Sequence, residues 1–345
     1  SVTPMRRIAS IESFRCLAVL GVICIHTKPF MRDIFPAPAF RLPEYLFNQP
    51  PRVAVPFFFV VSGYLLAKKT LPSHERQARM RRYLRRLLRL LAVWTVIYTL
   101  VPSFWPALGQ TNYLQIVAQQ MRGLLGSPCL LLFEGGKVHL WYLPALLTGV
   151  ALLWLGAPGG RAAPALILAV PLFVVGLLGG SYRHTQLGLH LPLVTRDGPF
   201  LSLICLTTGA LIRQRGVRLS VAGALALTGT GLALHLLESW FLWRYYQVPW
   251  LYHDYLLGTV VAANGLLLLA LARPELGRRS GLAALGRYTL GVYLCHYLFV
   301  DLLGPFTYLF EIRIWQLLFP LVVYLLSLGL TVILGRFPWS RPLVS

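Results

Sequence analysis

Three ionisable residues share one stripe of the first apolar segment. It opens Ile11-Glu12-Ser13-Phe14-Arg15-Cys16, continues as an unbroken apolar run and closes at Ile25-His26. Glu12 and Arg15 are three positions apart, so a helix lets them pair on one face. Arg15 and His26 are eleven apart, close to three full turns, which puts them on one side about 16 Å apart along the axis. Ionisable groups within so apolar a run are costly and point to function. A histidine titrates near neutrality and can take a proton from a hydroxyl. A guanidinium can grip phosphate in a fork. The plainer reading is an internal ion pair that fixes helix packing, with a histidine at the membrane interface.

Other polar residues lie in or beside apolar runs. Val55 to Tyr64 is an aromatic and aliphatic stretch ending Ser62-Gly63-Tyr64. Its small residues suit close helix contact; alternatively it walls a narrow tunnel with a hydroxyl in it. Further along come Glu134 to Pro144, with His139 and Trp141, then Thr195-Arg196-Asp197-Gly198, Tyr252-His253-Asp254-Tyr255, and finally Tyr293, His296 and Asp301. Each alone is an ordinary interfacial anchor. Their shared depth raises the functional expectation, while their convergence in space is not readable from spacing.

The elements that must position these residues are membrane helices. Hydrophobic residues make up 57% of 345 positions and charged residues only 12%, against about a quarter in soluble domains; mean hydropathy is +0.65. A bilayer-crossing helix needs about 20 mostly apolar residues. The sequence predicts an all-α polytopic integral membrane protein of about ten transmembrane helices, at 11–30, 53–67, 87–106, 139–156, 163–180, 198–212, 217–237, 251–272, 282–302 and 314–335, the second and sixth being short. Residues 1–345 read as one membrane-embedded domain with no soluble appended domain. The first apolar run holds an arginine and no small-residue cleavage site, so it is expected to stay as a span. With the N-terminus inside, 20 Lys and Arg flank the cytoplasmic ends and 10 the outer ends, which predicts both termini cytoplasmic.

Most of that asymmetry comes from Lys68-Lys69 and the segment His74 to Arg89, where Arg79, Arg82, Arg86 and Arg89 recur at helical spacing. This reads as a basic surface helix running into the third span, there to bind lipid headgroups or the phosphates of a nucleotide-type donor. The net charge of +21 is expected to serve basic loops and anionic lipid, not nucleic acid. Cys16, Cys24, Cys129, Cys205 and Cys295 are dispersed, and the histidines lack ligand spacing, so no disulfide set and no metal site are expected.

These segments resemble the acyltransferase-3 family of bacterial membrane O-acyltransferases. The family's Asp-x-x-Arg, ten residues, then His is filled by Glu12, Arg15 and His26. Its Phe-Phe-x-x-Ser-Gly-Phe/Tyr is Phe58 to Tyr64, its Leu-Trp-Phe/Tyr-Leu is Leu140 to Leu143, and its late Leu-Gly-x-x-(Ser/Thr)-Leu-x-x-Tyr-x-x-His is Leu285 to His296. Glu12 stands where Asp is usual, and Cys16 where Gly is. His139 to Pro144 and Thr195 to Gly198 also resemble the membrane half of the membrane-bound serine racemases of vancomycin resistance. The likeness implies a multi-pass protein of the bacterial inner membrane that moves an acyl group from acyl-CoA, usually acetyl-CoA, to a hydroxyl of a carbohydrate or lipid-linked glycan. It implies His26 as base, with Glu12 and Arg15 organising the inner half of the helix. Arg15, Ser62, Arg82 and Arg86 would meet the donor. Tyr64, His139, Trp141, Arg196, Asp254, Tyr293 and His296 would meet the acceptor. A transporter of a small polar solute such as serine is the competing class; the absence of evident internal repetition disfavours it.

Overall fold

The computed structural model describes residues 8–30, 42–67, 73–101 and 112–344, and among them every regular element is helical. The helices are α1 (Ala9–Thr27), α2 (Leu42–Asn48), α3 (Ala54–Leu66), α4 (Ser73–Leu100), α5 (Tyr113–Gly126), α6 (Pro128–Phe133), α7 (Tyr142–Gly156), α8 (Leu166–Gly179), α9 (Pro199–Arg215), α10 (Val221–Tyr246), α11 (Leu257–Ala272), α12 (Leu282–Gly286), α13 (Thr289–Leu303) and α14 (Arg313–Arg336). Short 3-10 turns precede several of them, including Pro50–Val53 before α3 and Val138–Trp141 before α7.

Four helices are long and apolar enough to cross a bilayer: Ala9–Thr27, Val138–Gly156, Val221–Tyr246 and Arg313–Arg336. Shorter apolar helices run over Ala163–Gly179, Leu257–Ala272 and Thr289–Leu303. Large apolar side chains stand on the outside of the bundle, Ile167 being 82% exposed and Leu155 74%, as a lipid solvent requires. The chain is an integral membrane protein.

Each expected span falls on helix, with differences of extent. The basic segment and the third span are one continuous helix, α4; Lys68, Lys69 and the end of that expected span lie outside the described residues. The segment 282–302 is broken after Gly286. The Gly286 backbone lies so close to the Glu12 carbonyl that a Cβ would not fit, and Thr289 Oγ1 donates to the Gly286 carbonyl at 2.7 Å, closing the break. Two helices, α5 and α6, lie between the third and fourth expected spans, where no helix was predicted.

Packing rests on small residues, since lipid offers helices no hydrophobic drive to associate. Gly63 of α3 meets the Leu206 carbonyl of α9, and Gly209 of α9 meets the Val60 carbonyl of α3, both without room for a Cβ. Gly231, Gly258 and Gly265 join α10 to α11 in the same way. On α9, the Ser202 hydroxyl donates to the Ala145 carbonyl of α7 at 2.6 Å. Helix α1 is central, packed on α3, α11, α12, α13 and α14, so its polar stripe is enclosed by protein.

Candidate functional site

The N-terminal half of α1 opens into a cavity of about 560 Å³. Glu12 and Arg15 line it, paired at 3.3 Å. Opposite them α4 contributes Arg79, Arg82 and Arg86, and Arg287 follows α12, so five arginines face one carboxylate. The spacing of 79, 82 and 86 keeps all three on one helix face. Ser62 enters from α3, and the Tyr83 and Tyr142 hydroxyls approach its side chain. Arg15, Ser62, Arg82 and Arg86, far apart in sequence, therefore share one cavity. Arg79, Arg287, Tyr83 and Tyr142 join them without having been singled out. For Arg79 the signal was present in the basic stripe.

Tyr64 is placed elsewhere. Two residues along a helix turn about 200°, so Tyr64 and Ser62 point to opposite sides. Tyr64 is buried under the Arg213 guanidinium at 4.8 Å from its ring centre and is not among the residues that line the cavity.

The other end of α1 meets a histidine cluster. The His26 ring centre lies 5.3 Å from His296, 5.1 Å from Tyr297 and 6.4 Å from His139. His139 and His296 are 4.9 Å apart and fully buried, whereas His26 is half-buried. His139 stacks on Tyr297 at 5.0 Å, and Tyr98 of α4 packs edge-on against it. The Tyr293 hydroxyl donates to the His139 carbonyl. Lys137 sits over the Tyr297 ring and pairs with Asp301 at 2.5 Å. Among the described residues no group of three His, Cys, Asp or Glu is arranged to hold a metal ion.

Beside this cluster lies an ion-pair network. Asp254 receives Arg52 at 2.9 Å and Arg196 at 3.1 Å. Arg196 also reaches Asp197 at 3.1 Å and Glu134 at 3.8 Å, and lies 5.7 Å over the Trp141 ring. Arg52 also donates to the Asn48 side chain and the Leu251 carbonyl. Burial pushes the Asp197 carboxyl up to about 7; Arg196 opposes the rise, and the charges of Glu134 and Asp254 add to it. Trp141, Arg196 and Asp254 thus converge, and Arg52 and Arg196 stand within electrostatic reach of His26. By contrast His253 is buried and bonded to Ser239 at 2.8 Å, a packing role.

Residues 8–336 match the family described as an acyltransferase domain, acyltransferase-3. The chain belongs to the acyltransferase-3 family. This acyltransferase-3 protein is also similar to a serine/alanine racemase of Enterococcus gallinarum, 27% identical over 67% of this chain and 33% of the relative. An amino-acid racemase of Enterococcus faecalis is 29% identical over 84% of this chain and 40% of the relative. The chain thus spans two fifths or less of the length of these relatives. No solved structure matches it significantly.

Proposed function

We propose that this protein passes an acyl group, acetyl in the first instance, from cytoplasmic acyl-CoA to a hydroxyl of an extracytoplasmic or lipid-linked glycan. The observation that carries this reading is the polarity of α1. One end of the helix lies in an arginine-lined cavity that suits a polyphosphorylated donor; the other lies in a histidine cluster that suits proton transfer. The family supports acyl transfer in general, the apolar runs support ten spans of one membrane domain, and the bias of basic residues supports cytoplasmic termini; the proposed setting is a bacterial cytoplasmic membrane.

In this mechanism Arg82, Arg86 and Arg15 hold the phosphates, and the acyl-pantetheine arm runs past Ser62 along α1. His26 takes the proton of the acceptor hydroxyl as its oxygen bonds to the thioester carbonyl carbon. Ser62, with Tyr83 and Tyr142 behind it, lines the passage of the arm. The carbon–sulfur bond then breaks and the thiolate recovers the proton, leaving ester and free CoA. Trp141, Arg196 and Asp254 hold the sugar.

The test uses the purified protein in detergent, measuring CoA binding and acetyl-CoA consumption with and without His26→Ala. The variant is expected to bind CoA while turnover falls roughly 10²–10⁴-fold, the usual worth of a general base. A wild type that neither binds nor consumes acyl-CoA, but fills liposomes with serine, would establish the transporter reading instead.

A further inference from the structure

His296 is the member of the histidine cluster whose tautomer the fold fixes. Its Nδ1 lies 2.6 Å from the Tyr293 carbonyl. A carbonyl only accepts, so Nδ1 carries the hydrogen and the neutral ring presents its lone pair at Nε2. That nitrogen has no hydrogen-bond partner among the described residues, and the side chain is fully buried. An unsatisfied buried acceptor is destabilising, so its retention needs a reason.

The ring of His26 is the half-exposed neighbour, 5.3 Å away and inclined by 34°. The other histidine of the cluster, His139, is farther from His26 at 6.4 Å and stacked on Tyr297. Lys28, Arg52 and Arg196 lie within electrostatic reach of His26, and Asp301 on α13 is engaged with Lys137. An imidazolium formed at His26 therefore stands among cations and needs an acceptor for its second N–H.

Resting on the reading of His26 as base, we propose that His296 is its positioning residue: Nε2 accepts the His26 N–H, aims the opposite nitrogen at the acceptor hydroxyl and stabilises the imidazolium that forms. Such contacts are commonly long in an empty site and tighten when it is loaded. The proton taken from the hydroxyl stays on His26 until the departing thiolate removes it. His296 itself ends the cycle as it began.

Two near-isosteric variants separate this role from packing. In His296→Gln the terminal amide falls where Nε2 was, so its oxygen can accept from His26. In His296→Asn it falls where Nδ1 was, and the acceptor is lost. With purified protein and acetyl-CoA, the Asn variant is expected to lose roughly 100-fold in kcat, and the Gln variant to keep activity within roughly 10-fold of wild type. KM for acetyl-CoA should hold in both, because the donor cavity does not include this residue. Equal kcat in both variants and wild type overturns the proposal, as does an equal loss in both accompanied by a raised KM. If His26→Ala retains full turnover, the base reading fails first; if His26→Ala is inactive and both His296 variants match wild type, this inference alone fails.

Discussion

Asp197 is buried beside the carboxylates of Glu134 and Asp254, and that burial, with Arg196 opposing it, makes Asp197 a titrating residue. Its carboxyl rises from 3.8 to about 7 in the folded protein. Between those values the native state binds the extra proton, so stability is greatest toward the acid end and falls as pH climbs through about 7. Melting temperatures in detergent should show that decline from pH 5 to 8, and Asp197→Asn should flatten it. At the same scale Arg86→Ala removes a charge-assisted phosphate contact of about 1.5–3 kcal/mol, so KM for acetyl-CoA should rise roughly 10–100-fold with kcat little changed. The chemistry-bearing types were legible from spacing on single helices: Glu12, Arg15 and His26 sit as three turns of α1 dictate. The union of His26 with His139 and His296 was not, because more than a hundred residues separate His26 from either, and it takes the packing of α1 against α13 and the placing of the turn Val138–Trp141 beside them to bring the three together. Tyr64 shows the converse, a motif neighbour turned away by helical rotation.

Helix α4 carries two basic faces with separate consequences. Arg79 and Arg86 face the cavity, Arg81 and Arg85 join His74 and Gln77 in a groove on the outside, and Arg82 borders both. Arg85→Ala should therefore leave KM for acetyl-CoA unchanged in an assay that detects Arg86→Ala. Helix α3 is set by its glycine: a side chain at Gly63 meets the Leu206 backbone, which cannot yield. Gly63→Val should cost about 1–3 kcal/mol or more by overpacking, read as a lowered melting temperature or as loss of folded protein on size exclusion. Apolar runs announced these helices; their ends were less legible. The break after Gly286 combines a local cap, the Thr289 hydroxyl on the Gly286 carbonyl, with a close approach to Glu12 across the bundle that the apolar run of residues 282–302 does not announce. The Gly216 end of α9, at φ 67°, is by contrast a local signal.

For the whole molecule, the arginine cavity and the histidine cluster must face opposite compartments if the proposed transfer is right. A cysteine placed at Arg85, in a Cys129→Ala background, should react with an impermeant maleimide only in inside-out vesicles. One placed at Tyr252, 66% exposed, should react only in right-side-out vesicles. Labelling of both from one side would break the topology. Hydropathy made the membrane class plain, and charge bias gave an orientation. The packing of α1 among several other helices was hidden, because apolar runs look alike whether they face lipid or protein. That packing makes α1 a ruler whose marks are residues. One alanine inserted between Arg15 and His26 would swing the histidine about 100° out of the cluster and lengthen the reach by about 1.5 Å. Four would nearly restore its heading but overshoot by about a full turn. Change in this stretch is therefore confined to replacing letters: its length is as much a part of the site as its histidine.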